Sequence, residues 1–170
     1  ETEANYISGS TGTLYMLPGT LYKIVKGNST LSSTDLIPRM DGASTSNPNN
    51  PYILQGGTIE LGGSASGNYF QTLRGTTGGR PNYNYIKFSG TNTLGSDYKN
   101  LSSTTTIDSS LQITGNAIVD CINGAGVATS FIGNGGLVMT GGRLRIKKLN
   151  TANPELIGDN VAYSLTGGTI

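Results

Sequence analysis

The side chains that could carry out chemistry are few in this sequence, and they lie far apart. Among 170 residues there are no histidines, one cysteine and ten acidic residues. Cleavage of a sugar by general acid and base needs two carboxyl groups flanking the scissile bond. Only Glu1 and Glu3 lie within three positions of each other. The other acidic residues are Asp35, Asp41, Glu60, Asp97, Asp108, Asp120, Glu155 and Asp159. The spacing therefore predicts no catalytic carboxylate pair.

Nucleophilic, metal and phosphate chemistry lack their usual residues as well. Without histidine, neither a serine nor Cys121 has the usual basic partner. Cys121 has apolar neighbours, Val119 and Ile122 among them, and is expected to be a small buried side chain. No Gly-Lys-Ser/Thr loop and no Asp-rich calcium loop is present. We therefore expect a protein that is not an enzyme, with no catalytic residue, metal or cofactor.

Tyrosines are the remaining candidates for ligand binding. Tyr83, Tyr85 and Tyr98 could form an aromatic platform for sugar rings, with a surface polysaccharide as the ligand. Tyrosine is equally an ordinary strand residue that half-covers the face of a sheet. The segment 82–85 follows a Gly-Gly-Arg-Pro run at 78–81, which predicts a protruding loop where binding residues concentrate. These three tyrosines are the candidate binding residues.

The charge pattern indicates neither a nucleic-acid partner nor membrane insertion. The formal net charge is +1 at pH 7. The basic cluster comprises Arg143, Arg145, Lys147 and Lys148, and alternation in a strand would place the first three on one solvated face. No apolar run approaches the roughly 18 residues that a membrane-spanning helix needs.

The composition predicts an all-β fold. Charged residues make up 12% of the chain, against about 25% in ordinary domains, while 26 glycines punctuate short apolar runs. Many short strands separated by tight turns have this profile. A helix would need an apolar stripe over ten or more residues without glycine, and none is present, so almost no helix is expected.

The apolar runs are three to seven residues long, and they favour a right-handed parallel β-solenoid over an antiparallel β-sandwich. Short runs predict strands at Thr58–Leu61, Tyr85–Phe88, Leu111–Ile113 and Leu137–Met139, among others. Ile59, Ile86, Ile107 and the run at 130–132 recur at intervals close to the length of one coil. Gly-Gly pairs, as at 56–57 and 141–142, are predicted to form corners, where positive φ or a close approach of backbones excludes a Cβ. A sandwich would instead use hairpin turns between longer strands.

An internal echo suggests a longer repeat. Residues 163–170 match residues 52–59 at six of eight positions, with an offset of 163 − 52 = 111. We therefore expect a lead-in or linker at 1–12, a solenoid repeat unit at 13–162 and the start of a next repeat at 163–170. A Ser/Asn/Pro-rich stretch predicts a loop insertion near 38–51. The chain is interpreted as a piece of a larger array, with neighbouring repeats or like subunits as partners.

Several phrases resemble the tandem repeats of very large Bacteroidota surface proteins. These are Gly-Gly-Thr-Ile-Glu-Leu at 56–61, Gln-Thr-Leu-Arg-Gly at 71–75, Tyr-Ile-Lys-Phe-Ser-Gly at 85–90 and Leu-Gln-Ile-Thr-Gly at 111–115. The resemblance implies an extracellular, solenoid-like stalk, filament or adhesin at the cell surface. It also implies export by the type IX secretion system and kinship with gliding-motility adhesins. A carbohydrate-binding or carbohydrate-cleaving β-helix is the alternative.

Overall fold

The computed structural model describes residues 14–25, 52–53, 56–63, 70–74, 83–91, 98–102, 107–120, 136–145 and 162–170. In these ranges the chain forms eleven strands and no helix, and therefore no helix that could cross a membrane. The strands are β1 Leu14–Tyr15, β2 Leu21–Ile24, β3 Tyr52–Ile53, β4 Thr58–Leu61, β5 Phe70–Arg74, β6 Tyr83–Phe88, β7 Tyr98–Ser102, β8 Ile107–Ile113, β9 Ile118–Asp120, β10 Gly136–Arg145 and β11 Tyr163–Thr169. The expected all-β class is confirmed for this part of the chain.

Every strand pair in the described ranges is parallel. Nine strands form one sheet, in which the path runs β2-β4-β6-β8-β10-β9-β7-β5 and β11 adds to β10. A second sheet contains β1 and β3. Parallel strands need long connections between them, whereas hairpins join antiparallel ones. The antiparallel β-sandwich is therefore not the arrangement of these strands, and the parallel sheet is compatible with a β-solenoid.

Strand β10 joins two rows of strands because the chain bends within it. Its first residues pair with β8, while Arg143–Arg145 pair with β9. The bend coincides with Gly142, whose φ of +74° lies in the left-handed region. The Gly-Gly pair at 141–142 therefore acts as the predicted corner, although the strand does not end there.

Six strands that are neighbours in the sheet carry two columns of apolar side chains, which face inward. We call these strands rungs: β2, β4, β6, β8 and the first halves of β10 and β11. The first inner column is Tyr22, Ile59, Ile86, Leu111, Leu137 and Tyr163, and the second is Ile24, Leu61, Phe88, Ile113, Met139 and Leu165. From β4 to β10 all of these side chains are buried. Each contributes about 1.5–3 kcal/mol by leaving water.

Five of the six rungs, all except β2, share a short sequence pattern: apolar, any residue, apolar, any residue, glycine. It occurs at 59–63, 86–90, 111–115, 137–141 and 163–167. Successive first positions are 27, 25, 26 and 26 residues apart. The spacing from Ile59 to Ile86 agrees with the expected coil length. The predicted equivalence of Ile86 and Ile107 is wrong. Ile107 pairs with Tyr83, and Leu111 is the residue that pairs with Ile86.

The glycines that end this pattern stack where the chain turns out of each rung. Gly63, Gly90 and Gly115 have φ values of +86°, +77° and +65°. The Gly63 carbonyl accepts a hydrogen bond from Thr91 N, and the Gly90 carbonyl accepts one from Asn116 N. A side chain on Gly90 would collide with the backbone of Gly63. We call this stack, with Gly141 as its next member, the glycine corner.

The echoed segments occupy different places in the sheet. The first copy turns from β3, which pairs with β1, into the rung β4. The second copy begins in a rung, where Tyr163 pairs with Leu137, and turns after it so that Thr169 pairs with Arg143. Both copies contain a corner with positive φ, but at positions that do not correspond: Gly56 matches Gly167, whereas the positive φ of the second copy is at Gly168. The lead-in at 1–12 and the loop insertion near 38–51 lie outside the described residues.

Candidate functional site

The outward face of the rungs is the surface on which the candidate site lies. Because side chains alternate along a strand, the residue between the two inner columns points outward. These residues form the outer column: Lys23, Glu60, Lys87, Gln112, Val138 and Ser164. Its first three members carry charge and the other three do not.

Glu60 is a buried carboxylate held between two lysines of neighbouring rungs. Lys23 Nζ lies 3.1 Å from Glu60 Oε1, and Lys87 Nζ lies 3.3 Å from Oε2. Ser89 Oγ donates a hydrogen bond of 2.6 Å to Oε1. The glutamate side chain is 6% exposed, and the lysine side chains are 47% and 32% exposed. We call these four residues the Glu60 cluster.

Gly62 makes room for the Glu60 cluster. A Cβ placed on Gly62 would lie 2.8 Å from Ser89 Oγ, 3.0 Å from Glu60 Oε1 and 3.0 Å from Lys23 Cε. The first of these distances is shorter than Cβ atoms adopt in proteins, and the other two are tight. A larger residue at this position would therefore require the side chains of the cluster to shift.

The surroundings of Glu60 favour its ionised form. Burial alone would raise the pKa of this carboxyl, but the hydrogen bonds from Ser89 and Lys23, the charge of Lys87 and its hydrogen bond outweigh that effect. The net result is a pKa below the ordinary value for glutamate. The carboxylate therefore stabilises the folded chain while it stays ionised.

We expect Glu60→Gln to lower stability most near neutral pH. Because the folded-state pKa lies below the unfolded value of about 4.3, the stabilisation is fully present above that value. It is lost as the pH falls through the lower, folded-state pKa. The gap in free energy of unfolding between wild type and variant should therefore narrow as the pH falls below about 4.3. Urea unfolding at a series of pH values measures it. A gap that stays constant with pH would show that the charge of Glu60 contributes nothing.

The three candidate tyrosines have different environments. Tyr83 is only 2% exposed and belongs to the apolar core, so it cannot be part of an exposed platform. The reason is its position: it is the first residue of β6, where it pairs with the buried Ile107. Tyr85 is half-buried on the outward face, in register with Thr58 and Ser110. Tyr98 begins β7, where its backbone pairs with Phe70. Of the three, Tyr85 is the one shown on an outward face.

Polar groups beside Tyr85 are already partly satisfied within the protein. Ser109 Oγ donates to Asn84 Oδ1 at 3.0 Å, and Gln112 Nε2 donates to Ser110 Oγ at 3.1 Å. An amide and hydroxyls beside an aromatic ring are the groups that bind sugars in general. The residues paired with Tyr85, Thr58 and Ser110, carry hydroxyl groups and no carboxylate.

A second buried charge lies inside the molecule. Lys99 in β7 is 2% exposed, and its Nζ donates a hydrogen bond of 3.2 Å to the carbonyl of Leu61. Its backbone pairs with Val119, which is fully buried. The ammonium therefore connects the row of β7 and β9 to the rungs across the core. In the part of the chain that is described, no group of three potential metal ligands occurs.

The basic cluster follows the expected alternation as far as it is described. Arg143 is exposed and Arg145 is half-buried, with the buried Leu144 between them. Lys147, Lys148 and Cys121 lie outside the described residues. Arg143 therefore lies on a solvated part of the strand, whereas Arg145 is partly covered and has a partner within the protein.

Sequence reasoning missed the Glu60 cluster because it treated each acidic residue by its distance along the chain. The available signal was the rung pattern. Lys23, Glu60 and Lys87 each occupy the middle of an apolar-x-apolar triplet, so aligned rungs place the glutamate between two lysines.

Comparison with known proteins provides no relative. No protein-family model, no curated protein and no solved structure matches this chain. The functional conclusion therefore depends on the residues and their geometry.

Proposed function

We propose that this chain is a right-handed parallel β-solenoid segment of an extracellular, repeat-built surface protein. Its role is that of a stalk, filament or adhesin, without catalysis. The observation that carries this proposal is the pair of inner columns, which run through consecutive parallel rungs of one sequence pattern. In such an arrangement each rung is stabilised by its neighbours, so a structure grows in length by repetition.

The location and export route belong to the same proposal. The resemblance of the segments at 56–61 and 85–90 to Bacteroidota surface repeats supports a place on the cell surface, type IX secretion and a relation to gliding motility. The 26 glycines and the glycine corner suit a stack of many short strands. Labelling of intact source cells with an antibody against this chain tests the location. Signal that appears only after the cells are lysed would contradict it.

The proposed partners are neighbouring repeats or like subunits. In the described residues β11 pairs with β10 on one side, and its inner-column residues Tyr163 and Leu165 are 56% and 52% exposed. Each earlier rung presents the same surface, and each is covered by another parallel rung of the same pattern. A further rung is therefore the natural partner for β11.

Electron microscopy of the native protein at high concentration tests the proposed architecture. Rods with an axial repeat of about 4.8 Å between rungs are expected. Compact particles without an axial repeat would contradict the solenoid and the filament role together. The same images show whether particles join end to end, as the partner proposal requires.

Carbohydrate binding is the second candidate, and the outward position of Tyr85 is the observation that favours it. If this face binds surface polysaccharide, Tyr85→Ala should weaken binding by about 10-fold, the usual loss when a stacking aromatic ring is removed. Glycan-array binding followed by calorimetry measures the effect. Tyr15→Ala is the matched control, because Tyr15 is exposed but lies outside the rungs. Equal binding by both variants and wild type would exclude Tyr85 as a sugar contact.

A further inference from the structure

The connection that leads into β4 differs in length from the connections between the later rungs. Tyr22 and Ile59 are Cα partners 59 − 22 = 37 residues apart, whereas later partners are 25 to 27 residues apart. A coil of fixed length restricts how far a strand can shift along its neighbour. A longer connection allows more positions at little entropic cost. The length of chain between β2 and β4 therefore does not by itself determine how these two strands align.

The apolar pattern of β2 disfavours most other alignments but does not exclude all of them. A shift by one residue would turn the inner columns outward. A shift by two residues keeps the direction of alternation, but it places Lys26 opposite Leu61 or Thr20 opposite Ile59 in an inner column. Threonine is tolerated in a strand, so the shift that brings in Thr20 is the main competitor. After a two-residue shift, Leu21 or Val25 would lie opposite Glu60 in place of Lys23. In either alignment the buried carboxylate would face an aliphatic side chain. Glu60 would keep Lys87 and Ser89 but lose one of its two ammonium partners, so the shifted alignments are disfavoured.

We propose that the Glu60 cluster sets the register of β2 on β4. Lys87 and Ser89 hold the carboxylate from the β6 side, at 3.3 Å and 2.6 Å, independently of β2. The fixed carboxylate then selects the alignment in which Lys23 lies opposite, at 3.1 Å. Buried polar groups specify one alignment among several apolar ones in other proteins, such as coiled coils. The inference concerns how the first rung is placed, so it holds whether the protein is a stalk or a sugar-binding protein.

Disulfide trapping across β2 and β4 tests the register. Leu21 and Thr58 are outward-facing Cα partners, so Leu21→Cys with Thr58→Cys should form a disulfide in the native alignment. Adding Glu60→Gln should lower its yield by about threefold or more, because shifted alignments become populated. Mass spectrometry of the cross-linked peptide distinguishes this disulfide from any involving Cys121. Lys23→Met, which keeps the apolar stem of the side chain, should give the same loss.

Two controls decide what a loss means. Tyr85→Cys with Ser110→Cys traps the pair β6 and β8, and its yield should not change with Glu60→Gln. Hydrogen exchange reports whether β2 stays paired. Retained protection of β2 amides with a reduced Leu21–Thr58 cross-link supports a shifted register. An unchanged cross-link would overturn the proposal. Loss of both the cross-link and the protection would overturn it as well, since the cluster would then hold the strand without selecting its alignment.

Discussion

Replacing Gly90 with alanine should destabilise the folded chain by on the order of 3–5 kcal/mol, or prevent folding altogether. Two costs combine at this position. The φ of +77° is unfavourable for a residue with a Cβ, and the new methyl group would collide with the carbonyl oxygen of Gly63. That backbone cannot move aside easily, because its carbonyl accepts the hydrogen bond from Thr91 N. Urea unfolding followed by far-UV circular dichroism measures the change.

Gly115 provides the matched control for Gly90. It occupies the same place in the next turn of the glycine corner and has a φ of +65°. The nearest atom to an added Cβ is the carbonyl oxygen of Gly90 at 3.6 Å, an ordinary contact distance. Gly115→Ala should therefore cost only the backbone strain, about 1–2 kcal/mol. Equal losses for the two variants would show that the close approach of Gly90 to Gly63 does not limit the packing of the rungs.

Phe88→Ala should cost about 3–5 kcal/mol of stability, because it opens a cavity in the second inner column. Phe88 is fully buried between Leu61 and Ile113, which are also fully buried. A close-packed column cannot collapse around a missing ring without shifting the rungs on both sides. Thermal and urea unfolding measure the loss. A broadened transition would indicate that the rungs on either side of the cavity unfold separately.

Leu165→Ala controls for the loss of apolar surface in the same column. Leu165 is 52% exposed, so the truncation removes much less buried surface than Phe88→Ala does. The expected change is below about 1 kcal/mol. If Leu165→Ala destabilised the chain as much as Phe88→Ala, burial along the inner columns would not account for their stability.

The strands were predictable from the sequence wherever apolar and polar residues alternate as they do in the rungs. Thr58–Leu61 is a strand with the predicted limits, and the predicted run at 85–88 lies within β6. Residues 13–25 predict two short strands around a turn at Pro18-Gly19, and the hydrogen bond from Thr20 N to Leu17 O, at 3.0 Å, confirms the turn. Its two flanking strands do not pair with each other, however, since β1 pairs with β3 and β2 with β4. Local sequence identifies a strand, but the strand that pairs with it lies far along the chain: Leu14 pairs with Tyr52, and Leu21 pairs with Thr58.

Two parts of the fold could not be read from apolar alternation. Strand β7 places a lysine, Lys99, in the core, where its Nζ hydrogen-bonds the Leu61 carbonyl, so the sequence pattern there looks polar. The corners at Gly90 and Gly115 each contain a single glycine, so Gly-Gly pairs in the sequence do not predict them. The prediction that Tyr83 lies on an exposed loop is wrong. A Gly-rich stretch precedes it in the sequence, but Tyr83 itself lies in the core.

The interval between rungs determines how much chain is released when one rung detaches from the next. A rung lengthens the stack by about 4.8 Å, yet the chain advances 26 residues from Leu111 to Leu137 before the next rung begins. Drawn out fully, a stretch of that length spans about 90 Å. Each rung that detaches under tension would therefore release roughly twenty times its own height as slack. A tether built from such coils would extend by yielding one coil at a time, while its covalent chain stayed intact.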